Sequence, residues 1–173
     1  MIAHVKGSFK TFDASIYTVG NDFTTAEIDI WIDPSTITTG DEKRDEHLKS
    51  ADFFDVKKNK QITFRSNTMG KAVLDDNHEL WGTLTMNGIT KNFQLNVHYG
   101  GMITDPWGKE RAGFTVTGKI NRNDWELKWN TEIETGFMVS EEVIITCEFQ
   151  VVRADLNEMP GIEDLSGAHT SSL

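Results

Sequence analysis

The densest group of chemically capable side chains is Arg44-Asp45-Glu46-His47, followed at once by an aromatic pair, Phe53-Phe54. On a helix, Arg44 and His47 stand at i,i+3 and share one face. A guanidinium beside an imidazole suits the orientation of a polar group at the mouth of a cavity. The same residues equally suit hydrogen bonds that fix a helix to the body of the fold. Catalysis is not indicated, because no nucleophile with an oriented base is visible.

The other reactive residue types are scattered. His4, His47, His78, His98 and His169 include no i,i+4 pair, and the single cysteine, Cys147, offers no partner. A zinc site of the usual spacing is therefore absent, although two histidines could still meet across strands. No metal and no cofactor is expected. Cys147 lies inside an apolar run, which predicts a buried, inert thiol. Asp105-Pro106-Trp107-Gly108 reads as a tight turn with an aromatic anchor. Neither a phosphate-cradling loop nor a dinucleotide fingerprint occurs.

The elements that must carry these residues have a period of two. Ile28, Ile30 and Ile32 alternate with Glu27, Asp29 and Trp31. Phe93, Leu95, Val97 and Tyr99 alternate with polar residues, as do Phe114, Val116 and Ile120. Val143, Ile145, Cys147, Phe149 and Val151 fall on one face. Such alternation belongs to antiparallel strands with one buried face. Asn87-Gly88 between two alternating runs predicts a hairpin, and Asp75-Asp76-Asn77-His78 a second turn. From Asp41 to Asp55 the period breaks: acidic residues lead, and Leu48, Ala51 and Phe54 are spaced for a helix. The expected fold is all-β, an antiparallel barrel or sandwich with one short helix near residues 41–52.

Composition narrows the partners. The chain has 173 residues, enough for one domain with its own core, and a formal net charge of −10. That charge argues against nucleic acid and against anionic membrane surfaces. No run approaches the roughly 20 apolar residues of a transmembrane helix, and no signal-peptide apolar core follows Met1. Ten Phe and five Trp are available to fill a core or line an apolar pocket.

Several strings, in this order, resemble the YceI-like, polyisoprenoid-binding proteins. They are RDEHLKSADFFD at 44–55, QITFRSN, LWGTLTMNGITKNFQLNVHYGG, DPWGKERAGFTVTGKINRNDWELKWN at 105–130, and ETGFMVSEEVIITCEFQVV. The resemblance implies a lipocalin-like, eight-stranded antiparallel barrel that binds a long isoprenoid chain, a polyprenyl phosphate or quinone tail, in its apolar interior. It also implies a bacterial protein exported to the periplasm, the cytoplasm being the alternative for a chain that shows no signal peptide. With that interior in mind, the strand faces nominate Phe9, Ile28, Ile30, Phe64, Leu84, Phe93, Leu95, Phe114, Val116, Ile145 and Phe149 as lining residues. Arg44 and His47 would face the lipid headgroup, with Phe53 and Phe54 at the neck. Glycines on strands, Gly7, Gly82, Gly113 and Gly118, either leave room for a chain-like ligand or mark barrel corners. Two other functions stay open: a lipid-modifying enzyme with a polar site in the barrel, and a filled barrel serving as a structural or stress-response module.

The sequence departs from the family in three places. The family's first strand, which precedes the segment matching MIAHVKGSF, is absent. Trp125-Glu126 stands where Phe-Gly is usual, and Gly136-Phe137 where Gly is commonly doubled. The domain is expected over 1–153, followed by a tail over 154–173 that could dock at the barrel edge. A barrel short of one strand has two open edges. Closure is expected either from a partner chain, giving a symmetric homodimer, or from the tail around Ala168–Leu173.

Overall fold

The computed structural model describes residues 5–19, 22–70, 77–127 and 140–154. His4, His169, the Asp75-Asp76 turn, Gly136-Phe137 and residues 155–173 lie outside the described residues.

Seven strands form one curled antiparallel sheet, a half-barrel. In spatial order they are β2 (Phe12–Val19), β3 (Asp22–Ile32), β5 (Ile62–Met69), β6 (Asn77–Met86), β7 (Ile89–Thr104), β8 (Glu110–Asn121) and β9 (Glu142–Val152). Two-residue strands β1 (Ser8–Phe9) and β4 (Ile37–Thr38) pair separately. The helix α1 (Glu42–Lys49) is shorter than its sequence pattern suggests. Asp41 caps it, accepting from the Arg44 N–H at 3.1 Å, and the Ser50 hydroxyl donates to the His47 carbonyl at its end.

Each strand is antiparallel to its neighbour, so β2 and β9, three pairs either side of β6, run in the same direction. They do not pair with each other among the described residues. One strand antiparallel to both would fit between them. Irregularities at Tyr17/Val19, Ser66/Thr68 and Tyr99/Gly101 bend the sheet toward closure.

The alternating residues point into the concave face. Burial is deepest on the central strands, with Phe64, Leu80, Leu95, Val97, Phe114 and Val116 all buried. It declines toward the edges, where Ile16 on β2 and Ile145, Cys147, Phe149 and Val151 on β9 are half-buried. Among the described residues no strand stands between β2 and β9, so inward side chains at these edges have described neighbours on one flank only.

One end of the half-barrel is sealed. The β6–β7 turn at Asn87-Gly88 has both residues at positive φ, 51° and 74°, as a tight hairpin requires. Asn87 accepts from Asn59 Nδ2 at 2.8 Å and donates to the Trp125 carbonyl at 3.0 Å. Asn59 in turn donates to the Phe54 carbonyl. These bonds gather the loop after α1 and the 3₁₀ turn Arg122–Trp125 over the same end. There the Trp125 indole donates to the Leu84 carbonyl and stands edge-on to Phe93, which stands edge-on to Phe64. Arg122 is buried; its guanidinium donates to the carbonyls of Ser140 and Leu127, tying this turn to the start of β9.

The inward glycines are occupied by protein. A Cβ on Gly82 would lie 2.3 Å from the Arg65 carbonyl oxygen and 2.5 Å from Phe64 Cζ. One on Gly118 would lie 2.7 Å from a Leu95 methyl and 2.9 Å from Phe93 Cζ. Of the two meanings open for strand glycines, room for a ligand is excluded here: the Phe64, Phe93 and Leu95 side chains take the space. Gly113 has no atom within 4 Å of its would-be Cβ. Gly82→Ala is expected to lower stability by about 1–3 kcal/mol through overpacking. Gly113→Ala should stay within about 1 kcal/mol of wild type or gain slightly. Urea midpoints for the two variants at unchanged m-value check the contrast.

Candidate functional site

Away from the sealed end the concave face is not filled. A trough there is lined by Ile16, Ala26, Ile28, Ile30, Leu80, Val97, Phe114, Val116 and Phe149, all of them apolar. The space it encloses is about 10 Å³, room for about one water, and the rest of the hollow is open to solvent. The lining comes from six strands, including both edges: Ile16 belongs to β2 and Phe149 to β9. The trough therefore lies against the gap. Phe114 stacks on Phe149 at 5.6 Å between ring centres, and Tyr99 tilts onto Phe114 at 5.5 Å, which gives one wall an aromatic surface.

Strand registers explain why the face is apolar. Ile16 opposes Ile28, Val97 opposes Val116, and Phe114 opposes Phe149. A shift of one residue in any pair would turn polar side chains inward, and the alternation locks the register. Cys147 opposes Val116 on the same face, and burial, with Glu148 adding to it, pushes its thiol above the ordinary value.

Of the eleven nominated lining residues, five border the trough: Ile28, Ile30, Phe114, Val116 and Phe149. Phe64, Leu84, Phe93 and Leu95 face the same interior but belong to the packed, sealed half. Ile145 is half-buried on β9, and Phe9 packs edge-on against Phe54 at 5.8 Å outside the main sheet. Four lining residues were not nominated: Ile16, Ala26, Leu80 and Val97. Val97 lies two residues beyond Leu95 and Leu80 four before Leu84 on the same faces, so carrying the alternation further along each strand would have found them. Ala26, two residues before Ile28, shares that face as well, and only its small side chain made it inconspicuous.

The polar cluster is placed at the other end. Segments β1, β4 and α1 adjoin the sealed end, because Phe12, Ile32 and Ile62 stand in register there and Phe54 and Phe9 pack beside them. Arg44 and His47 thus do not flank the open end of the trough, and Phe53 and Phe54 close the interior instead of forming its neck. Arg44 Nε donates to the Thr39 hydroxyl at 2.7 Å, and that hydroxyl donates to Asp45 at 2.6 Å. The Thr39 hydroxyl, opposed by burial and joined by the Thr39 N–H, holds the Asp45 carboxyl below the ordinary range. His47 lies 3.1 Å from Asp52 and edge-on to Phe53. These contacts join the helix to its flanking segments. Among the described residues no three His, Cys, Asp or Glu side chains gather to hold a metal ion.

At the open end stands the β7–β8 hairpin. Asp105, buried at its neck, accepts from the N–H groups of Trp107 at 3.0 Å and Lys109 at 2.9 Å, and from Arg111 Nε at 2.9 Å. The turn is the one expected from the sequence. Trp107 is not an anchor packed on the barrel: it is 83% exposed, because the Asp105 bonds orient the turn without it.

A profile of the YceI-like domain family matches residues 1–151. The chain belongs to that family. It is 39% identical to the UPF0312 protein SA2479 of Staphylococcus aureus (strain N315) over 137 residues, 79% of this chain and 77% of that protein. Among solved structures it is similar to the Campylobacter jejuni YceI protein, with a TM-score of 0.79, 29% identity, and 90% and 88% of the two chains covered. Burkholderia cenocepacia BcnA shares the fold at a TM-score of 0.72 and 21% identity, over 84% of this chain and 86% of that one.

The Asp105 carboxyl gives a pH test of the hairpin. The Lys109 N–H above all, with the Arg111 guanidinium and the Trp107 N–H, holds it below the ordinary carboxylate value, against the opposing effect of burial. A carboxyl whose folded value is depressed contributes stability above its unfolded value of about 3.9, and loses it as pH falls through the lower folded value. Asp105→Asn is expected to melt below wild type at pH 7. The difference should shrink as the pH falls from about 4, where the unfolded carboxyl takes up its proton, through the lower folded value. Thermal melts across that range check it.

Proposed function

We propose that this protein binds an elongated apolar chain, of the isoprenoid or similar lipid type, in the open half of its half-barrel. The observation that supports the reading is the trough itself: nine apolar residues from six strands and no polar side chain in its lining. A polar site for lipid modification has nothing to stand on there. Each methylene-sized unit withdrawn from water contributes about 0.8 kcal/mol, so a chain of several isoprene units needs no polar contact to bind. The space enclosed is only about 10 Å³, so such a chain would lie along the apolar face toward the gap beside β2 and β9, with trough side chains moving aside to admit it. The sealed half, with Phe64, Phe93 and Trp125 packed together, acts as a floor. A head group would stay at the open end, away from Arg44 and His47. A second copy closing the gap edge to edge, or the tail doing so, would cover this same trough.

The test fills or polarises the trough without touching the sealed half. Ala26→Phe puts a ring into the space, and Phe149→Asp puts a charge on its half-exposed edge wall. Both variants are expected to fold, as judged by circular dichroism. Both should lose uptake of a fluorescent polyene fatty acid by about tenfold or more, since a buried unpaired charge or a ring blocking the trough costs more than 1.4 kcal/mol. Native mass spectrometry of protein purified without detergent should show the wild type carrying a lipid adduct that Ala26→Phe lacks. Unchanged uptake by both folded variants sinks the reading.

A further inference from the structure

Apolar side chains are left in water at both ends of the sheet, Phe12 and Ile144 toward the sealed end among them, and one group borders the mouth of the trough. By strand direction, Val19, the end of β7, the β7–β8 turn and the end of β9 share the end opposite Trp125. That end carries Trp107 at 83% exposure, Val19 at 77% and Ile103 at 63%, with Met102 and Val152 also exposed. In the sheet register Ile103, Arg111 and Val152 stand side by side on the convex face, and Met102, Ala112 and Val151 on the concave face. Apolar surface therefore runs from the tip of the hairpin over the rim toward the trough.

Three features say what this rim fits. Trp107 is held out by design of the turn, since Asp105 fixes the Trp107 and Lys109 N–H groups while the indole touches water. Indole rings prefer the boundary between lipid headgroups and acyl chains, where their apolar body and N–H are both satisfied. The charged residues at the rim's neck are paired within the protein: Arg111 with Asp105 at 2.9 Å, and Arg153 with Glu110. A rim of internally paired charges on a chain of net charge −10 has no basic patch for anionic lipid, and the lipid it suits is zwitterionic.

We propose that the Trp107 hairpin docks this protein on zwitterionic lipid bilayers, with Trp107 and Ile103 inserted at the interface and the trough mouth held over the acyl chains. The proposal rests on the reading of the trough as a lipid site, because it explains why the exposed ring lies at the open end. Docking at that end shortens the path of a lipid chain to a step from acyl region to trough, with no passage through water.

The experiment uses the full chain and large unilamellar vesicles of phosphatidylcholine. Wild type is expected to co-sediment with the vesicles, and its tryptophan emission to be quenched when the lipid carries bromine near the head of its acyl chains. Trp107→Ala and Ile103→Asp should each lower the partition coefficient by about tenfold, as expected from withdrawing one ring or aliphatic chain from the interface. Trp107→Ala should also lose the bromine quenching. The same variants should take up a water-dispersed polyene fatty acid, without vesicles, as wild type does. Equal partitioning and equal quenching for wild type and Trp107→Ala overturn the docking proposal. Failure of wild type to take up the fatty acid overturns the trough reading instead and leaves the vesicle result to judge docking by itself.

Discussion

The interior depends on where the Trp125 indole sits. Its N–H reaches the Leu84 carbonyl, its ring stands on Phe93, and its own carbonyl accepts from Asn87, which also holds Asn59. A turn between two strands, a loop after the helix and a 3₁₀ turn are thereby pinned over one end of a sheet that does not close on itself. Among the described residues no hydrogen-bonded wall joins β2 to β9, and this seal holds the curvature at its end of the sheet. With one end fixed, packing decays along the interior from a dense floor to an unfilled trough.

The same polarity orders the surface. Hydrogen-bonded and charged side chains of α1 and β4 serve the sealed end, where Thr39 links Arg44 to Asp45. The open end carries a rim whose charges are paired inward and whose apolar residues face water. Burial on the concave face grades from the central strands to β2 and β9, between which no strand stands among the described residues. The trough is therefore bounded by protein on three sides and by the gap on the fourth.

Much of this was legible in the alternation. Ile28, Phe93, Leu95, Phe114 and Val116 face inward as their spacing requires, and the Asn87-Gly88 turn lies where its backbone demands. The trough's actual boundary was not legible, because alternation tells which face a residue takes but not how far along the axis the core is packed. Phe64 and Phe114 have the same pattern and different roles for that reason. The end on which α1 lies was equally hidden, since a helix's charge pattern says nothing about which rim of a sheet it covers. Trp107 shows the opposite limit: the turn was evident, but whether its aromatic packs or projects depends on the three bonds the Asp105 carboxylate accepts, which no pattern reveals. The glycines mislead in another way, since a small residue marks space without saying whether a ligand or a neighbouring ring takes it.

The parity of the sheet has a consequence for assembly. The seven strands of the described residues, in strict alternation, leave two edges of the same sense, so β2 and β9 of one molecule can never zip together antiparallel, however far the sheet curls. Any closure consumes an odd number of added strands. A visiting segment that runs the right way satisfies both edges at once, and one that runs the wrong way meets two parallel pairings. Two molecules joined β9 to β9 about a twofold axis would instead make a continuous fourteen-stranded sheet and leave both β2 edges bare. The gap thus discriminates between guests by chain direction alone, before any side chain is read.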